Sequence, residues 1–503
     1  MHGQRHRRPV RTAIGVGLAA LLLGACTTSP GTSAQDSGTA TTGDKPDIVF
    51  VLTDDLAMNL IPYMPQVRQL QKDGMSFSNY YVTDSLCCPS RSSIMTGQFP
   101  HNTGVFTNNG SDGGYRAFNR KGDERKSYGP AMQKAGYRTG FMGKYLNGYE
   151  PADTNGTDKP YVPPGWDEWD TAGNGYPEFD YKLNENGKVV SYGHDPEDYL
   201  TDVVSRKATA FIDASAAAKK PFVLELATFA PHGPATPAPR DADSFPDLKA
   251  PRTAAYDTPS VPKPKWQDAL KPLSDQEKRS IDQQFDKRVR SVQAVDDMIG
   301  HLRGELKAKG IADNTYIVFS SDNGFHMGEH RLRPGKQTAY DTDVRVPLVV
   351  AGPGVAAGGQ TSRPAENIDL GPTFLDLAGA TPAATPDGLS LAPILHGEEV
   401  DDWRQAALIE HHHPGSRTGD PDAAPDNGGN PPTYEAIRTP DALWVEYADG
   451  EREYYDVRAD PDQLHNRASA LTQSQRAGLH ATLTALRRCE GSKACTEASR
   501  LGG

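Results

Sequence analysis

The segment Cys87-Cys88-Pro89-Ser90-Arg91, continued by Ser92-Ser93-Ile94-Met95-Thr96-Gly97, concentrates reactive side chains at a spacing that can do chemistry. Pro89 suits the first turn of a helix, where a missing N–H costs nothing, and Gly97 suits the residue just past the end. Together they delimit a short helix with Cys87 beside its N-terminus, where backbone N–H groups and the helix dipole favour anionic species. Arg91 follows one turn later, within reach of position 87. A buried cysteine pair beside a helix cap would account for Pro89 and Gly97 but not for the arginine spacing. Adjacent Cys87 and Cys88 would be strained as a mutual disulfide, which leaves them for another use.

Two acidic segments complement the cysteine. Ile48 to Leu52 runs into Thr53-Asp54-Asp55, and Tyr316 to Phe319 runs into Ser320-Ser321-Asp322-Asn323-Gly324. Three carboxylates and a carboxamide offer hard oxygen ligands, which suit Ca²⁺ or Mg²⁺. Singly, each is as readily a turn: Asp-Asp can cap a helix, and Asp-Asn-Gly is a strong turn signal. Their occurrence together, each at the end of an apolar run, points to a metal.

Those runs must be strands for this chemistry to assemble. Ile48 to Leu52, Phe222 to Leu226, Tyr316 to Phe319 and Val346 to Val350 are short, mostly β-branched and bounded by polar or Gly/Pro residues, as buried strands of a mostly parallel sheet should be. Ligand sites in such sheets lie at the carboxyl ends of the strands, where both acidic segments fall. Helices are predicted over Pro65 to Lys72 and Lys278 to Lys307, and the Pro-rich segments Ala230 to Pro239 and Ala250 to Lys265 read as surface loops. From about Pro431 the pattern changes to a small antiparallel meander (Tyr434 to Arg438, Leu443 to Tyr447, Arg452 to Val457) and then a helix from Thr472 to Arg487. The predicted class is α/β: a mixed, mostly parallel sheet sandwiched by helices, with a smaller C-terminal antiparallel-sheet subdomain. A chain of 503 residues divides accordingly into a catalytic domain over 45–400 and an α+β subdomain over 401–503.

The N-terminus reads as targeting. His6-Arg7-Arg8 and Arg11 precede an apolar run, Ala13 to Leu23, that is too short for a permanent bilayer span. Leu23-Gly24-Ala25-Cys26 looks like a bacterial lipobox, predicting a signal peptide over 1–26, acylation of Cys26 and an extracytoplasmic, membrane-anchored protein. An ordinary cleaved signal with a chance cysteine is the alternative, and Arg7-Arg8 admits a twin-arginine export route. The Thr/Ser/Gly-rich stretch over 27–44 reads as a flexible tether. Cys489 and Cys495 enclose a short loop and are candidates for a disulfide in an exported protein. The net charge of −12, with no basic run after the N-terminus, argues against nucleic-acid binding.

Cys-x-Pro-x-Arg followed by Ile94-Met95-Thr96-Gly97 resembles the signature of the sulfatases, in which the first cysteine is oxidised to formylglycine. The resemblance runs from about Pro46 to Asn466 and includes Thr53-Asp54-Asp55, Gly143-Lys144, Pro231-His232, Ser321-Asp322-Asn323-Gly324, Lys336, Arg345-Val346-Pro347 and a closing set of Tyr455-Asp456, Asp460-Pro461 and Asn466. It implies an alkaline-phosphatase-like fold, Ca²⁺ held by Asp54, Asp55, Asp322 and Asn323 with position 87 at the ion, and a formylglycine-generating enzyme as partner. It further implies that the hydrated aldehyde at 87 is the nucleophile, that Arg91 and Lys144 hold it, and that His232 and Lys336 contact the sulfate and the leaving oxygen. Within the family the resemblance is greatest to N-acetylglucosamine-6-sulfatases, carried by Cys87 to Arg91, Gly143-Lys144-Tyr145-Leu146-Asn147 and Ser321 to His326. A sulfated small-molecule or glycan substrate, sugar or aryl, follows from it.

The chemistry explains the residue types. A sulfated thiol would have no easy exit, whereas a geminal diol can attack sulfur through one hydroxyl and expel sulfate through the other. Many arylsulfatases carry a histidine two residues after the lysine matching Lys144; this chain has Leu146, so Asn147 or a substrate-contacting His326 is expected to cover part of that role. Glu410-His411-His412-His413 is a candidate rim element or a polar loop. Two other functions stay open: a phosphonate monoester or phosphodiester hydrolase sharing the Cys-x-Pro-x-Arg motif, and a non-catalytic calcium-binding surface lipoprotein.

Overall fold

A computed structural model describes residues 45–413 and 430–501. The signal-like segment with Cys26 and the tether over 27–44 lie outside the described residues. The strand Asp47–Thr53 sits in the middle of a ten-stranded sheet, and its side chains alternate between two cores. Ile48, Phe50 and Leu52 point into one, Val49 and Val51 into the other, and all five are fully buried. Burial on both faces explains why the run is continuously apolar rather than alternating.

Five neighbouring strands run parallel: Thr315–Ser321, Asp47–Thr53, Phe222–Ala227, Arg138–Lys144 and Glu168–Ala172. The strand Leu348–Ala351, predicted with the parallel set, instead pairs antiparallel with Thr315–Ser321. Helices Leu200–Ala218 and Asp275–Ala308 cover one face, while Cys87–Thr96, Tyr128–Lys134 and Leu370–Leu377 cover the other. Asp275–Ala308 starts three residues before the predicted boundary because Ser274 and Glu277 form a capping box ahead of the first apolar position.

The sequence reading missed Arg138–Lys144, because its glycines replace the β-branched residues that announce a strand. They serve close approach: a Cβ on Gly140 would meet Leu224 at 2.8 Å, and one on Gly143, which has φ +101°, would meet the Ala227 carbonyl at 2.0 Å. Towards the C-terminus a separate four-stranded antiparallel sheet adds Ala407–His411 to the three predicted strands. Leu408, Ile437 and Trp444 of that sheet pack against Leu483 and Leu486 of helix Gln473–Leu486, and Cys489 and Cys495 form the disulfide.

The helix Cys87–Thr96 ends as predicted at Gly97, whose φ is +69°. A Cβ there would lie 2.9 Å from Cδ of Pro372 as well as in a left-handed conformation. Gly97→Ala is therefore expected to destabilise the protein by about 1–3 kcal/mol, read as a lowered urea midpoint.

Candidate active site

Four adjacent strands deliver the polar residues to one edge. Asp47–Thr53 leads into Asp54 and Asp55, and Thr315–Ser321 into Asp322 and Asn323. Phe222–Ala227 leads to His232 five residues on, and Arg138–Lys144 ends in Lys144 itself. Helix Cys87–Thr96 adds Cys87 and Arg91, and a loop adds Lys336. All are buried.

The site is a lattice of charge. The Cys87 thiol lies 3.4 Å from Oδ1 of Asp54 and 2.7 Å from Nζ of Lys336, which also donates to Oδ1 of Asp55 at 2.6 Å. Lys144 pairs with Asp54. Arg91 donates from Nε to Asp322 at 2.8 Å and from NH1 to the Lys144 carbonyl at 2.9 Å. Burial opposes the charges on Arg91 and Lys144, but Asp322 and Asp54 around Arg91, and Asp54 and Cys87 around Lys144, outweigh it, so both stay firmly protonated. Asp322 uses its other oxygen for the N–H groups of Asp55 and Asn323. Asp55 itself has φ +65°, a strained conformation for a non-glycine residue of the kind stored at functional sites.

His232 lies in a segment read from sequence as a surface loop. Ala230, His232, Ala235 and Ala238 are instead buried, because this Pro-rich loop folds over the strand ends. Nδ1 of His232 is 2.8 Å from the Gly233 carbonyl, so it carries a proton and leaves Nε2 facing Oδ2 of Asp55 at 3.7 Å. Ligand atoms of Asp54, Asp55, Cys87 and His232 all lie within 4.8 Å of one another, a group able to hold a metal ion. Asn323 donates its amide to Oδ1 of Asp55 at 2.7 Å, while its own Oδ1 is buried with no hydrogen-bond partner among the described residues. The NH2 group of Arg91 is likewise buried without one. An acceptor in want of a cation and a donor in want of an anion thus share one site. The oxygen-rich donor set fits a hard divalent ion.

Nδ1 of His326 lies 3.0 Å from both oxygens of Asp343, and its backbone pairs with Gly335. Leu146 and Asn147 line a cavity of about 340 Å³ beside Lys144, walled also by Asn108, Asn109, Asn174 and Tyr176. The run at 410–413 divides: Glu410 and His411 are buried, whereas His412 and His413 line a second cavity with Ser111 and Asp112. Sequence reasoning missed Asn108, whose side-chain oxygen caps the N–H of Cys88 at 3.1 Å, and gave no role to Ser321, which accepts the N–H of Leu56 at 2.8 Å. It also missed Arg288, although a charged residue within the buried stripe Ile281, Phe285, Val289, Val292 is a legible signal.

The sulfatase family profile matches residues 46–380, and that of the N-sulphoglucosamine sulphohydrolase C-terminal region matches 328–488. The chain is 35% identical to N-acetylglucosamine-6-sulfatase of Homo sapiens, over 94% of this chain and 89% of the human one. It is 33% identical to an arylsulfatase of Volvox carteri, over 90% and 76% of the two chains. In fold it is similar to BT4656, solved in complex with its substrate D-glucosamine-2-N,6-O-disulfate, with a TM-score of 0.72 at 24% identity over 88% of this chain and 97% of that one. A phosphonate monoester hydrolase from Silicibacter pomeroyi is similar in fold too, with a TM-score of 0.65 at 22% identity over 86% and 93%.

Proposed function

Because the chain belongs to the sulfatase family and is a sulfuric ester hydrolase, we propose that it removes sulfate from sugars of the glucosamine 6-sulfate type, or from aryl sulfates, using formylglycine at position 87 and Ca²⁺. The observation that carries this reading is a pair of groups in the site that are buried and without a hydrogen-bond partner among the described residues, Oδ1 of Asn323 and NH2 of Arg91. One asks for a cation and the other for an anion.

Asp54, Asp55, Asp322 and Asn323 would hold the calcium, which supplies charge neutralisation for sulfate oxygens. Formylglycine at position 87 would supply the nucleophile, a hydrated aldehyde with one hydroxyl for attack on sulfur and a second for release of sulfate. The chain's own residues do the rest. Arg91, Lys144 and Lys336 present fixed positive charge to the anion in a water-poor site, where it acts strongly. Lys336, already within hydrogen-bond distance of Sγ of Cys87, orients whatever stands at that position. His232 gives a proton from Nε2 to the leaving oxygen.

The cavity beside Lys144, rich in asparagine and tyrosine, supports a polyhydroxylated substrate. The subfamily likeness to N-acetylglucosamine-6-sulfatase supports a 6-sulfated hexosamine. The N-terminal sequence supports export, an extracytoplasmic location and anchoring through acylated Cys26, with a formylglycine-generating enzyme as maturation partner. Among the described residues no helix is long and apolar enough to cross a membrane.

Rate comparison tests the reaction. kcat/KM for glucosamine 6-sulfate and nitrophenyl sulfate should exceed that for a phosphonate monoester; the reverse order would assign the chain to phosphonate ester hydrolysis. Metal removal is the second test. Chelation should abolish turnover and lower the melting temperature, and Ca²⁺ at about a hundred times its dissociation constant should restore about 2.7 kcal/mol of stability. Full activity in chelator would refute the calcium assignment.

A further inference from the structure

Arg288 is 1% exposed, in the middle of the helix Asp275–Ala308, and belongs to the stripe that this helix packs against the sheet. Its buried neighbours on the helix are uncharged: Phe285, Val289, Ser291 and Val292. An apolar residue would continue that stripe without the several kcal/mol that burying a guanidinium costs. The core therefore does not explain the charge.

Its hydrogen bonds do. NH1 donates to the main-chain carbonyl of Pro231 at 3.1 Å, and NH2 donates to the main-chain carbonyl of Asp55. The guanidinium lies over the Phe325 ring, 4.2 Å from its centroid, which fixes the plane of the fork. Pro231 immediately precedes His232, and Asp55 is the residue with φ +65°. Asp55 is tied on its other sides by Asp322, which accepts its N–H at 3.1 Å, and by Asn323. Arg288 supplies the remaining main-chain tether. Burial pulls its pKa down to about 10, against the pull of Asp55 and Asp54, so it remains a cation at neutral pH.

We propose that Arg288 is a positioning residue for sulfate-ester hydrolysis: one planar fork grips the backbone at Asp55 and at Pro231 and so fixes a carboxylate of the metal group relative to the proton donor His232. This rests on the roles given above to Asp55 and His232. Arginine suits the task and lysine does not, because two carbonyls on separate segments need two donors at a fixed angle.

The test uses the full chain with Arg288→Lys, which keeps the charge, and Arg288→Met, which removes it. Arg288→Met should lower kcat on glucosamine 6-sulfate by about 10²-fold with little change in KM, since a displacement of about 1 Å costs that much. The loss on nitrophenyl sulfate should be several-fold smaller, because a nitrophenolate leaves without the proton that a displaced His232 fails to deliver. Arg288→Lys should fall between wild type and Arg288→Met. In both variants the rise in melting temperature on adding Ca²⁺ after chelation should shrink, a readout independent of turnover. If Arg288→Met does not fold, the lysine variant decides. Wild-type kcat in the lysine variant, or losses that are equal for the two substrates and track the folded fraction by circular dichroism, would overturn the proposal and leave Arg288 a structural residue. Failure of the underlying reading looks different: the wild type itself would show no Ca²⁺-dependent rise, and His232→Ala would affect both substrates alike.

Discussion

Cys87→Ala is expected to bring hydrolysis of every sulfate ester to background, while Cys88→Ala retains most of it. The two residues are adjacent on one helix and both fully buried, so burial alone does not separate them. Their surroundings do. Cys87 faces Asp54 and Lys336 at the carboxyl edge of the sheet. Cys88 packs in the hydrophobic core on one side of the sheet, and burial pushes its thiol up to about 12, so it stays protonated and unreactive. Truncating it removes one sulfur from a packed core, a cost of stability rather than of chemistry. The same asymmetry predicts which sulfur is lost on maturation. Mass spectrometry of the peptide spanning 87–91 should show conversion of the thiol to an aldehyde at 87 and an intact thiol at 88. An unmodified Cys87 in fully active protein would sink the proposed mechanism.

The candidate site is more legible in the sequence than the scaffold that aims it. Cys87, Asp54 and Asp322 announce themselves because each stands at a helix start or a strand end, and Arg91 because it follows Cys87 by one helical turn. Ile48 to Leu52 was equally plain, since a strand buried on both faces has no polar positions to blur it. Arg138–Lys144 was not: its glycines were selected by the approach of Leu224 and Ala227, atoms distant in sequence. The loop carrying His232 was misjudged for a related reason. Proline and glycine punctuate turns but do not say which side of a turn faces solvent, and that is settled by the strands it folds over. The fourth C-terminal strand, Ala407–His411, alternates sides as strands do, but its polar Glu-His-His-His end masks the pairing with Tyr434–Arg438. Long-range hydrogen bonds to main-chain carbonyls, such as those of Arg288, leave almost no local trace beyond a charge on an apolar stripe.

His232 offers the sharpest test of how labour is divided at the site, because its loss should depend on what leaves. With Nδ1 committed to the Gly233 carbonyl at 2.8 Å, Nε2 is the nitrogen turned toward Asp55 and the reacting edge. The ring also packs against Tyr176, centroids 4.5 Å apart, and is held there rather than free to rotate. A proton delivered from Nε2 matters in proportion to the basicity of the departing oxygen. A sugar alkoxide is strongly basic and needs it; a nitrophenolate does not. His232→Ala should therefore cost about 10²–10⁴-fold in kcat on glucosamine 6-sulfate and far less on nitrophenyl sulfate. With Leu146 in place of a second histidine beside Lys144, no neighbouring imidazole on that segment can share the task. Nδ1 of His326 is engaged by Asp343 and is not the nitrogen that could take it over. The contrast between the two substrates should accordingly be steep. Equal losses would show that His232 binds the sulfate group and moves no proton, and the leaving oxygen would then have to draw its proton from Lys336 or from water.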